Sequence, residues 1–159
     1  MIPLDLHPDR LFPAEPSARA LARALYATVR DLPIVSPHGH TDPQWFADNA
    51  RFADPSALFI VPDHYVFRML YSQGVSLATL GVPRKAGAPA DDSPGYDARA
   101  IWRIFAAHYP LFRATPTRLW LDHAFSTVFG IDERLTTESA DRYFDRISAR
   151  LADDAYRPR

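Results

Sequence analysis

The first side chains in this sequence that could do chemistry together are His38 and His40, separated by a single glycine. In an extended segment, residues i and i+2 point to the same side, so the two imidazoles converge. Gly39 between them leaves room for close approach. Neutral imidazole nitrogens suit Zn²⁺ or a similar divalent ion. The same three residues also describe a polar turn with two solvated histidines, and the spacing alone leaves both readings open. A second candidate is His64-Tyr65. Neighbours at a helix start point about 100° apart, so only one of the two need face a site. A tyrosine hydroxyl beside a cation can give up and retake a proton; the plainer reading is a terminal histidine next to a core tyrosine. His108 and His123 fall on apolar helix faces and read as core histidines. Trp102, Trp120 and Phe125 read as packing, Arg68 as a helix-surface charge, Asp91-Asp92 as loop solvation and Asp42 as a turn residue.

These residues need elements to hold them. Four prolines in residues 1–16 indicate an extended arm. A helix is predicted over 17–30, with Leu21, Leu25 and Val29 on one face. Ile34-Val35-Ser36 is a short β-branched run that predicts the one strand of the chain, leading into the turn-rich 37–43. Asp54-Pro55 predicts a short helix through residue 58, with Asp as cap and Pro at the first position. Asp63 caps a helix over 63–73, with Val66, Met69 and Leu70 aligned and Gly74 as the stop. Residues 76–80 form a turn closed by Gly81, and 82–96 read as a surface loop. A helix over 97–109 aligns Ile101, Ile104, Phe105 and His108 before Pro110 breaks it. Thr115-Pro116 opens another that runs to Gly130, with Leu119, Trp120, His123, Ala124 and Val128 on one face. Thr137 opens the last, with Ala140, Tyr143, Phe144, Ile147 and Leu151 aligned. The fold class is therefore mainly α, one short strand and about six helices. A lone strand leaves backbone donors and acceptors unpaired, so its partners are expected outside this sequence.

Composition narrows the function classes. The 159 residues are 47% hydrophobic and 23% charged, with a net charge of −1, which fits one ordinary domain. That balance lacks the basic face nucleic-acid binding needs. Without cysteine there is no disulfide, thiolate metal site or thiol nucleophile, so any metal must sit on histidine and carboxylate. Residues 1–10 hold no apolar run of signal-peptide type, and no stretch is long enough to span a membrane. A cytoplasmic location is the expectation.

Several segments together resemble the uronate (glucuronate) isomerases of the amidohydrolase superfamily. They are Leu6-His7-Pro8-Asp9-Arg10-Leu11-Phe12; Leu32-Pro33-Ile34-Val35-Ser36-Pro37-His38-Gly39-His40-Thr41-Asp42-Pro43; Asp63-His64-Tyr65-Val66-Phe67-Arg68-Met69-Leu70-Tyr71-Ser72-Gln73-Gly74-Val75; and Leu119-Trp120-Leu121-Asp122-His123. The resemblance covers nearly the whole sequence but only the N-terminal third of such an enzyme. It implies the beginning of a distorted (β/α)8 TIM barrel with a helical insertion after the first strand. Residues 1–33 would be arm and helix, 34–43 the first barrel strand with its His-x-His turn, and 44–159 the insertion. It implies interconversion of D-glucuronate with D-fructuronate, and of D-galacturonate with D-tagaturonate. His38 and His40 would be metal ligands, His64 a substrate contact at the sugar carboxylate and Tyr65 the catalytic proton carrier. The expected cofactor is a divalent metal, Zn²⁺ first, whose third ligand lies on a later strand. The partner is a small sugar acid, with no nucleic acid and no membrane, and a homo-oligomer at full length is left open. The isolated chain is expected to be inactive. Two other readings stand beside this one: an amidohydrolase that hydrolyses its substrate with metal-bound hydroxide, and a non-catalytic helical binding remnant.

Overall fold

The computed structural model describes residues 2–35, 39, 41–83 and 95–159. The chain divides into two units: Met1–Leu4 with Asp42–Arg159, and Asp5–Thr41.

The smaller unit is built on α1 (Pro16–Val29). Its first turn is capped by Glu15, whose carboxylate accepts from Ser17 N and Ala18 N. Leu21, Leu25 and Val29 do form one row, but all three are exposed. Arg23 and Arg19 pair with Asp9, and Phe12 meets Tyr26 edge-on at 5.9 Å. The strand expected at 34–36 is not there: Ile34 and Val35 stand 94% and 90% exposed with no ladder partner, and Ser36 lies outside the described residues. A strand exists only through pairing, and among the described residues nothing pairs with this segment.

The larger unit holds α2 (Pro43–Asp48), α3 (Pro55–Phe59), α4 (His64–Tyr71), α5 (Ala98–His108), α6 (Pro116–His123) and α7 (Ala140–Leu151). No element was expected at α2; Asp42 there is an N-cap, accepting from Gln44 N at 2.9 Å. Short 3-10 turns follow α5 (Tyr109–Phe112) and α7 (Asp154–Tyr156), and α6 continues into a π-helical turn, Ala124–Val128. Gly130, at φ +66°, ends that run. Among the described residues the one β pairing is the bridge Pro3–Glu133, flanked by Leu4 N to Asp132 O (2.7 Å) and Arg134 N to Ile2 O (2.8 Å).

An aromatic core holds this unit together. Trp102, Phe105, Tyr109, Phe112, Phe125 and Tyr143 are all essentially inaccessible. Phe125 stands perpendicular to Tyr143 at 5.1 Å, and Phe105 lies 5.2 Å from Tyr109. Each such pair contributes about 0.5–1.5 kcal/mol beyond the apolar area it buries. The polar atoms that go inside are matched: the Trp102 indole donates to Ala140 O at 3.0 Å, and Ser56 Oγ to Ala98 O at 2.7 Å. Gly81 sits at φ +70°, where a Cβ would come within 2.7 Å of the Tyr96 ring. That close approach lets Tyr96 donate its hydroxyl to the carboxylate of Asp54, the cap of α3.

Two packing expectations are corrected here. Trp120 is 63% exposed and His123 is exposed, so neither belongs to the core. The buried side of α6 is Thr117 and Leu121, continued by Phe125. The physical reason is rotational: α6 is apolar on two sides, and Leu121 and Phe125 meet the aromatic cluster while Trp120 turns away. His108 is half-buried, with Nδ1 at 2.8 Å from Ile104 O.

Candidate functional site

Asp63 sets the start of α4. Its Oδ1 accepts from Tyr65 N at 2.8 Å and Val66 N at 3.4 Å, satisfying donors that the first turn leaves without intrahelical partners. Val66 and Leu70 are then buried on the inner side. Their anchoring fixes the rotation of the helix, and the other side carries Tyr65 and Met69. The His64 and Tyr65 rings lie 4.3 Å apart at 33°, so the two neighbours are presented together at the helix start. Tyr65 is 51% exposed, not a core tyrosine. Arg68 is on the surface, as its sequence position suggests.

Tyr65 and Met69 form one wall of a 310 Å³ cavity. The opposite wall comes from the 3-10 turn and α6: Phe112, Thr115, Pro116, Thr117 and Trp120. Clefts that hold small molecules begin at about this size and are mostly apolar with a few polar groups. The Thr115 hydroxyl is used locally, donating to Phe112 O at 2.7 Å and accepting from Arg118 N at 3.2 Å.

Beneath that wall a polar network holds α6 in place. Arg118 lies over the Tyr109 ring at 3.9 Å and donates Nε to Asp122 Oδ2 at 2.8 Å. Tyr109 donates its hydroxyl to Asp122 Oδ1 at 2.8 Å. Burial, and then the Asp122 charge, raise the Tyr109 pKa well above the ordinary tyrosine value, so the hydroxyl stays protonated and keeps donating.

The sequence-level candidates thus separate into two groups. His64 and Tyr65 come together at one helix start. His38 and His40 lie outside the described residues, as does Asp91-Asp92. Among the described residues no group of three histidine or carboxylate side chains is placed to share a metal ion. Trp120 and Met69 join Tyr65 around the cavity, and sequence reasoning assigned neither of them to a site. The available signal was the alternative i, i+4 row Thr117, Leu121 and Phe125, which turns Trp120 outward. Among the described residues no helix is long and apolar enough to cross a membrane.

Comparison with known proteins gives the site a context. A family model described as glucuronate isomerase matches residues 17–159. A uronate isomerase from Caulobacter vibrioides is 60% identical over 157 residues, covering 99% of this chain and 31% of the relative. One from Rhizorhabdus wittichii is also 60% identical, with 99% and 32% covered. The crystal structure of glucuronate isomerase from Caulobacter crescentus superposes with a TM-score of 0.89 at 60% identity, covering 98% of this chain and 32% of that one. A uronate isomerase structure from Thermotoga maritima shares the fold, with a TM-score of 0.74 at 24% identity. The chain spans about a third of the length of the curated relatives it matches.

Proposed function

Because the chain belongs to the glucuronate isomerase family, we propose that it carries part of the active site of an aldose–ketose isomerase acting on six-carbon sugar acids. The observation that carries this reading is Tyr65, held by the Asp63 cap at the rim of the 310 Å³ cavity with His64 beside it.

The reaction converts D-glucuronate to D-fructuronate, and D-galacturonate to D-tagaturonate, without oxidant or reductant. The C2–H bond breaks and a C1–H bond forms, while the hydroxyl proton passes from O2 to O1. The intermediate is an enediolate, so one group must carry the carbon-bound proton and others must stabilise the oxyanion. Tyr65 carries the proton between the adjacent carbons. His64 binds the sugar carboxylate and sets which carbon faces Tyr65. His38 and His40 offer two imidazole nitrogens one residue apart, a donor set that fits a divalent ion, Zn²⁺ first. When bound, that ion supplies positive charge where the oxyanion develops. In this reading residues 34–43 are the first strand and turn of a distorted (β/α)8 barrel, and 44–159 its helical insertion. The strand forms only against later strands, in keeping with the exposure of Ile34 and Val35. The reaction belongs to sugar-acid catabolism, for which a cytoplasmic site is proposed.

The test is a chimera in which this chain replaces the matched region of the Caulobacter vibrioides enzyme. It should isomerise D-glucuronate, while the 159-residue chain alone turns over none. Tyr65→Phe in the chimera should lower kcat about 100-fold or more with KM little changed. His64→Gln should raise KM. A folded chimera without activity, or full activity in the Tyr65→Phe variant, would refute the assignment.

A further inference from the structure

Tyr65 and Trp120 stand on opposite walls of the 310 Å³ cavity, and they are its two exposed aromatic rings, at 51% and 63%. An indole left this open forgoes the burial that a side chain of its size usually finds. The outward setting is fixed from beneath. Leu121 and Phe125 anchor the inner side of α6, while Asp122 takes Arg118 Nε and the Tyr109 hydroxyl, each at 2.8 Å. Trp120 is thus carried on a braced element. Among the described residues its indole N–H has no hydrogen-bond partner, and neither has the hydroxyl of Thr117 on the same wall. The Thr115 hydroxyl, by contrast, is used locally. One open aromatic face with unspent polar groups at its edge suits a sugar. The C–H bonds of a sugar lie against the electron-rich face of a ring, and its hydroxyls take up the polar groups around it.

We propose that Trp120 is a specificity-determining residue, whose indole face receives the middle carbons of the bound sugar acid and discriminates between the two C4 epimers. The inference rests on the reading of this cavity as part of the sugar-acid site, and adds to it the group that tells the substrates apart. D-Glucuronate and D-galacturonate differ only in configuration at C4. With the carboxylate on His64 and with C1 and C2 at Tyr65, the carbons between them are left to face the opposite wall. One epimer then turns C4–H to the indole, and the other turns its C4 hydroxyl there. The first contact is favourable. The second takes a hydroxyl out of water against a face that offers it no oxygen or nitrogen acceptor.

The test uses the chimera in which this chain replaces the matched region of the Caulobacter vibrioides enzyme. Trp120→Ala should move the ratio of kcat/KM for the two epimers by about tenfold or more, since one substrate loses a contact and the other is relieved of one. Trp120→Phe keeps an aromatic face and should hold the ratio within about threefold. Leu119→Ala, exposed on the same helix but off the cavity, should leave it within about twofold. Trp120 is exposed, so its replacement should keep the helical circular dichroism. A purely structural loss lowers both substrates alike, and an unmoved ratio would overturn the proposal. Calorimetry on the Tyr65→Phe chimera repeats the comparison with the C1-reduced forms of both sugar acids, which cannot isomerise. Their Kd ratio should shift with Trp120→Ala as the kinetic ratio does. If Tyr65→Phe retains full activity while the Kd ratio still shifts, the proton role of Tyr65 falls and Trp120 stands. If activity depends on Tyr65 and neither ratio shifts, Trp120 does not discriminate. A folded chimera that binds neither epimer overturns both.

Discussion

Glu133 joins three parts of the larger unit at once. Its carboxylate takes both Nε (2.9 Å) and a terminal nitrogen (2.6 Å) of Arg142, its carbonyl accepts the Tyr143 hydroxyl, and its backbone bridges to Pro3. Hydrogen bonding from Arg142 holds its pKa below the ordinary value of 4.5, against a smaller opposing effect of burial. The folded state therefore binds fewer protons here than the unfolded chain at mildly acid pH. This stabilisation is complete above the ordinary value and is lost as pH falls through the folded pKa. Glu133→Gln should lower stability at pH 7 by on the order of 1 kcal/mol. It should also flatten the fall of Tm with pH below about 4.5, as thermal melts across a pH series would reveal. Tyr109 makes a different point. Tyr109→Phe leaves Asp122 Oδ1 without its 2.8 Å donor in a partly buried place. The expected loss is about 1–3 kcal/mol in urea unfolding. Neither pairing was legible in the sequence, because Glu133 meets Arg142 and Tyr109 meets Asp122 only once separate elements have packed.

Helix starts were far more legible. Asp54, Asp63, Asp97 and Thr115 each accept from backbone donors two or three residues on, as their positions ahead of the apolar runs suggested. Such a cap is a contact within one turn, so local sequence suffices to recognise it. Asp63→Ala should cost about 1 kcal/mol and fray the turn that presents His64 and Tyr65. Faster amide exchange at Tyr65 and Val66 would report it, and unchanged exchange there would argue against the cap as the positioning device. The inward side of a helix was less legible. On α7 the expected row Ala140, Tyr143, Phe144, Ile147 and Leu151 is the buried one, because its other side is charged. On α6 two rows are apolar, and the one that packs inward is Thr117, Leu121 and Phe125, not the predicted row of Leu119, Trp120, His123, Ala124 and Val128.

At the scale of the whole molecule, stability is concentrated in the aromatic cluster. Phe125 touches Phe59, Trp102, Tyr109 and Tyr143, and it has no accessible surface. Phe125→Ala should remove about 3–5 kcal/mol, a large share of a domain's total stability. Leu21→Ala, at an exposed position on α1, should change the chain by less than about 0.5 kcal/mol. Denaturant titrations of the two variants side by side would check the contrast, and equal losses would contradict this account of the core.

What the residues determined by themselves was local or cumulative. Caps, proline starts and glycine stops act within a few positions, and the motifs around His38, His64 and Trp120 carried the family resemblance that the glucuronate isomerase match then bore out. Only the tertiary structure decided that Trp120 faces outward, that Tyr65 and Met69 share a cavity with it, and that Ile34 and Val35 remain without a ladder. Burial and strand pairing depend on partners far away in the chain or beyond it. A segment's own pattern can state what it is able to bury, but not which neighbour arrives to bury it.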